Sequence, residues 1–164
     1  MDVGLRTACL KYLLGKERGD WEAGHTGTGT GIEAAAFQAV VFAEGYSRAG
    51  TEALVAAAEA GLGAAPGSGV VQSLSSEASL DVRAGVVGAF RAGACAVLVC
   101  CDGGARGLDV PGVGLIVQMA LPGAVDTYLH RAGRTGRMGR AGKVITLTSP
   151  GEDFVIQRYS MHVW

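Results

Sequence analysis

Between Tyr128 and Lys143 lie Arg131, Arg134, Arg137, Arg140 and Lys143, and no acid. His130, Arg131, Arg134 and Arg137 are spaced three or four apart, so a helical turn through them would set them on one side. Gly133, Gly136 and Gly139 interrupt the run and permit tight turns and close approach of a ligand to the backbone. Arginine presents a rigid fork of donors that matches phosphate. A cluster of this kind can neutralise charge that develops on a transferring phosphoryl group. The same composition also describes an exposed basic loop, although an acid-free stretch would be an unusual solvated face.

A second candidate is LVCCDGGARGLDVPGV (98–113). Gly103, Gly104 and Gly107 make a flexible turn after an apolar run and present Arg106 and Asp109 beyond it. The Asp109 carboxylate could accept hydrogen bonds from a ribose. Equally, it could cap the turn and pair with Arg106.

Short apolar runs alternating with helical periodicity must position these segments. Leu5–Leu14 reads as a helix, residues 15–36 as a glycine-rich linker, and AVVFA (39–43) as a buried strand. Helices follow at Arg48–Leu62, Ser79–Arg91, Asp126–Ala132 and Asp153–Tyr159, with Ser47 and Ser79 as N-caps. Further strands are GVVQSL (69–74), AVLVC (96–100), GLIVQM (114–119) and KVITLT (143–148). Continuous apolar strands separated by helices predict an α/β fold with a mainly parallel sheet and helices on both faces. Ligands of such folds gather at the carboxyl ends of the strands, where both candidate segments fall.

With 164 residues and hydrophobic residues at 49%, the chain can bury one core. The net charge of -1 rules out a whole-chain electrostatic argument for nucleic acid; only the local arginine concentration points that way. Cys9, Cys95, Cys100 and Cys101 form no C-x-x-C pair and lie at no metal-finger spacing from a histidine. No structural metal and a reducing, intracellular compartment are therefore expected. No apolar run approaches membrane-spanning length, and the first twenty residues do not read as a secretory or transit signal.

HRAGRTGR (130–137) resembles the H-R-x-G-R-x-G-R motif of DEAD-box helicases at every defined position. ARGLDVP (105–111) is similar to the same family's A-R-G-x-D and proline. AVVFAEGYSRA (39–49) is similar to the strand that opens its C-terminal lobe, where Phe42 is the hallmark, and VRAGVVGAFRAG (82–93) to its R-x-x-x-x-x-x-F-R-x-G pattern. The chain is thus identified as resembling the C-terminal, RecA-like lobe of an ATP-dependent RNA helicase. The resemblance runs from about Leu5 to Tyr159, with an N-terminal helix and linker at 1–37 and the lobe proper at 38–160.

The resemblance implies roles. Arg134 and Arg137 would be arginine fingers on the γ-phosphate of ATP, and Gly107 and Asp109 would contact the nucleotide. Arg106, His130 and Arg131 would couple this lobe to an N-terminal RecA-like lobe, in cis or in trans. Arg83 and the turn Cys101, Asp102 and Gly103 would face RNA phosphates. Magnesium would be held mainly by the N-terminal lobe. Neither a G-x-x-x-x-G-K-[ST] loop nor an Asp-Glu-Ala-Asp string occurs in the chain, and HTGTGTG (25–31) lacks the phosphate-loop lysine. The chain alone is therefore expected not to hydrolyse ATP, and a start near the lobe boundary suggests a piece of a longer protein.

Departures from the family concentrate on the RNA side. Cys101 replaces the usual threonine, Ser75-Ser76 the usual His-Gly, and Leu80 the usual glutamine; Ala120 stands where an acid is expected after the fourth strand. Two rival readings follow. One is a stand-alone lobe that binds RNA or a helicase partner without ATP; the other is a DNA helicase of the same superfamily.

Overall fold

A computed structural model of the chain describes residues 3–25, 37–105, 113–137 and 141–160. Five four-residue strands form one parallel sheet: β1 (Ala39–Phe42), β2 (Val71–Leu74), β3 (Val97–Cys100), β4 (Leu115–Gln118) and β5 (Lys143–Thr146). Their spatial order is β2-β3-β1-β4-β5, so β1 lies at the centre with β3 and β4 beside it. This is the parallel α/β arrangement that the alternating pattern predicts and that the resemblance to a RecA-like lobe implies.

Side chains alternate across the sheet, and each face has its own core. On one face, Val41, Val99 and Val117 pack with Leu10 and Leu14 of α1 (Val3–His25) and with Leu54 and Ala58 of α2 (Arg48–Gly61). On the other, Phe42, Leu98 and Ile116 pack with Phe90 of α3 (Leu80–Arg91). The central strands are apolar on both faces because both are covered. Ser47 and Ser79 cap α2 and α3 as expected, accepting from the Gly50 and Val82 amides at 3.1 and 3.3 Å.

Two elements differ from the sequence expectation. The stretch 15–25, read as linker, continues α1 to His25. Gly15 does not end the helix. It lets α1 cross close to α2: a Cβ there would stand 2.9 Å from the Gly61 carbonyl oxygen. Side-chain ties then hold the added turns. Arg18 donates to the Leu62 carbonyl at 2.6 Å, and Lys143 pairs with Glu17 at 2.6 Å. The second difference is α4 (Asp102–Ala105), a single turn of helix where a flexible glycine turn is expected. The remaining helices are α5 (Val125–Ala132) and α6 (Asp153–Ser160), joined by Tyr128 and Tyr159, whose ring centroids lie 5.6 Å apart. The HTGTGTG segment beyond His25 lies outside the described residues.

Candidate nucleotide and nucleic-acid site

The last residues of the strands form one row across the sheet: Leu74, Cys100, Phe42, Gln118 and Thr146 in parallel register. Phe42, Leu74 and Cys100 of this row belong to the face on which Phe90 of α3 packs. Arg131 of α5 lies over this row, with its guanidinium carbon 5.0 Å from the centre of the Phe42 ring. A cation over an aromatic face is attracted by the ring quadrupole.

A buried guanidinium needs acceptors as well as a ring. Arg131 is 4% exposed, and α4 supplies the acceptors. Nε donates to Asp102 Oδ1 and Nη2 to Asp102 Oδ2, both at 2.6 Å. That is the fork-on-carboxylate geometry of the strongest charge-assisted pairs. Nη1 reaches Gln118 Oε1 at 3.5 Å, and Gln118 donates in turn to Thr146 Oγ1 at 3.3 Å. The sequence therefore folds a polar chain into the carboxyl end of the sheet, running from α4 through α5 to β5.

The helix stops at Ala132. Gly133 caps it through its amide to the Leu129 carbonyl at 2.8 Å, and Gly136 turns the chain with φ of +68°, a value glycine adopts freely. Arg137 folds back so that Nε donates to the Gly133 carbonyl at 2.5 Å, a basic side chain satisfying a helix C-terminus. Thr135 Oγ1 donates to the Val113 carbonyl and anchors the turn to the start of β4. A cleft of about 580 Å³ opens here, lined by His130, Arg131, Arg134 and Arg137 together with Phe42 and Asp102. One expectation needs correcting: the four basic residues do not share one helix side. Arg131 points inward and is spent on Asp102, while Arg134 and Arg137 reach the cleft from the turn beyond the helix.

The opposite edge of α4 carries the residues assigned to RNA. Arg83 of α3 donates from Nη1 to the Gly104 carbonyl at 2.7 Å and from Nη2 to the Gly103 carbonyl at 3.4 Å. Cys101 Sγ accepts from the Gly104 amide at 3.3 Å. The Asp102 amide donates to Glu44 Oε2 at 2.9 Å, and the same oxygen lies 3.9 Å from Arg131 Nη2. Gly103 and Ser76 are in close contact: a Cβ at 103 would meet the Ser76 Cβ at 2.8 Å. Cys100, behind the turn, has its thiol pushed up to about 12, mainly by burial and further by the neighbouring Cys101 and Asp102.

Arg106, Gly107 and Asp109 lie outside the described residues. Of the rest, the structure brings His130, Arg131, Arg134, Arg137 and Asp102 together around one cleft and sets Arg83, Cys101 and Gly103 beside it. Sequence reasoning missed Glu44 and Gln118. Each is a polar residue at or just past the end of an otherwise apolar strand, and that position was the available signal. Basic side chains fit a polyphosphate here. Among the described residues no group of three or more His, Cys, Asp or Glu could hold a divalent cation, and the Asp102 carboxylate is engaged by Arg131.

Comparison with known proteins agrees. Residues 33–139 match the helicase conserved C-terminal domain. The chain is 42% identical over 81 residues to the DEAD-box ATP-dependent RNA helicase CshC of Bacillus cereus, covering 49% of this chain and 21% of that protein. It is 42% identical over 87 residues to the ATP-dependent RNA helicase DBP8 of Eremothecium gossypii, covering 53% and 20%. It thus spans about a fifth of the length of these curated relatives. Among solved structures, the DEAD-box protein SrmB of E. coli, bound to the regulator of ribonuclease activity A, superposes with a TM-score of 0.70 at 26% identity, covering 99% of this chain and 81% of that one. Domain 2 of the DEAD-box helicase Mss116p, bound to an RNA duplex, shares the fold with a TM-score of 0.68 at 22% identity, covering 96% and 57%.

Proposed function

The chain belongs to the helicase conserved C-terminal domain family, as the RecA-like C-terminal lobe of a DEAD-box RNA helicase, and from that premise we propose that it forms one wall of an ATP site completed by an N-terminal RecA-like lobe. ATP hydrolysis in the closed site would drive separation of short RNA duplexes or remodelling of ribonucleoproteins. The observation that carries this is the cleft in which Arg134 and Arg137 stand beyond a buried Arg131 that Asp102 holds. Two guanidinium groups on a glycine-bounded turn can reach a γ-phosphate presented by a second lobe and neutralise charge as the phosphoryl group transfers.

The roles divide by burial. His130 is exposed at the cleft and is the better placed of the pair to touch the other lobe. Arg131 acts from within, holding α5 to α4 so that the finger turn is fixed. Gly107 and Asp109 would contact the nucleotide and Arg106 the other lobe, on the family pattern alone. Magnesium would be bound by the other lobe. RNA would be met by the Arg83 side of α4. Four free cysteines accord with a reducing compartment. The test is ATP-dependent RNA duplex separation by an enzyme containing this lobe. Arg137→Ala should reduce it by about 10³-fold or more, the worth of an arginine finger, while the thermal midpoint falls by no more than the loss of one helix C-terminal bond explains. Unwinding that survives the substitution would contradict the assignment.

A further inference from the structure

Glu44 follows β1 and has no part in the roles above. Its side chain is 53% exposed, yet one oxygen is fixed, accepting from the Asp102 amide at 2.9 Å and lying 3.9 Å from Arg131. It therefore places a second carboxylate beside the turn, next to the Asp102 carboxylate that already matches the Arg131 charge. Arg83, the other cation on the turn, is directed onto the Gly103 and Gly104 carbonyls. One guanidinium is thus balanced by Asp102, and Glu44 adds an acid at the rim, where it faces solvent.

We propose that Glu44 sets the affinity of this lobe for RNA, holding a negative charge against the Cys101–Gly103 turn and so weakening the phosphate contact there. The inference rests on the reading that this side of α4 faces RNA. Its physical content is Coulombic: a phosphate approaching the turn is repelled by a carboxylate that a hydrogen bond keeps from swinging away. A charge this close to solvent acts strongly at low salt and weakly once the screening length is short.

The test is binding of a fluorescein-labelled oligouridine to the chain, followed by anisotropy across a salt series. Glu44→Gln keeps the size and the acceptor for the Asp102 amide and removes the charge. It should tighten binding by about threefold or more at low salt, with the gain shrinking above ~0.1 M as the screening length falls below about 10 Å. Glu52→Gln makes the same charge change on α2, across the sheet, and should leave affinity unchanged; an equal gain there would reduce the effect to net charge and overturn the proposal. Arg83→Ala separates the premise from the inference. Weaker binding by Arg83→Ala with no gain from Glu44→Gln sinks the Glu44 role and leaves the RNA face standing. Binding that neither substitution changes, or no binding by any variant, removes the RNA face and the Glu44 role together.

Discussion

Asp102 shows how a residue assigned to one partner is held by another. Its carboxylate belongs to Arg131, so its removal leaves a guanidinium that is 4% exposed without its main acceptor. Breaking a buried pair from one side costs about 3–5 kcal/mol. Because the Asp102 side chain is itself 37% exposed, Asp102→Ala should fall at the low end of that range, read as a lower urea midpoint. A loss under about 0.5 kcal/mol, the scale of ordinary surface substitutions, would mean that Glu44, Gln118 and Phe42 hold the guanidinium without Asp102. The cysteines add a pH dependence. Burial pushes Cys95 to about 11 and Cys100 to about 12. Their folded values lie above the ordinary thiol value, so the stability linked to them is intact below about pH 9. It should be lost as pH rises through 11 and 12, seen as a falling thermal midpoint in alkaline buffer. A midpoint flat to pH 11 would contradict the burial of these thiols.

The elements were largely legible in the sequence, and the exceptions have physical reasons. Strand periods, serine caps and the arginine segment fell where pattern and capping rules put them. The end of α1 did not, because Gly15 reads locally as a helix stop; its use is to admit the Gly61 backbone, which no local pattern records. The inward turn of Arg131 was hidden for a similar reason. Spacing gives the side of a helix, but the helix ends at Ala132, and Asp102 lies 29 residues away in sequence. The β2–α4 contact is a further case. Ser76 replaces a glycine of the family pattern, and the space its side chain takes is left open by Gly103 across the gap. Gly103→Val should therefore destabilise by about 1–3 kcal/mol through overpacking. Ser76→Gly in the same chain should recover much of that loss, since the next nearest atom, the Ser76 Cα, stands at 3.8 Å. A double-mutant cycle of thermal midpoints measures the coupling; strict additivity would show that the two residues do not compete for space.

At the scale of the molecule, the turn carrying Arg134 and Arg137, the Arg131 chain and the Cys101–Gly103 turn all meet at α4 and the carboxyl ends of the strands. Phosphate charge at the cleft and phosphate charge at the turn would then act on the two ends of one bonded unit, Asp102 with Arg131. Among the described residues, Arg134 and Arg137 line the cleft and no group of three or more His, Cys, Asp or Glu could hold a metal. On the proposed reading, catalysis would belong to a closed pair of lobes. The most direct measurement is magnesium-dependent ATP hydrolysis by the 164-residue chain alone, by the same chain with a DEAD-box N-terminal lobe and RNA added, and by both with Arg137→Ala. The expected result is no turnover alone, turnover when the lobes are combined, and its loss with Arg137→Ala. Hydrolysis by the isolated chain that Arg137→Ala abolishes, or combined turnover that Arg137→Ala leaves untouched, would contradict the half-site account.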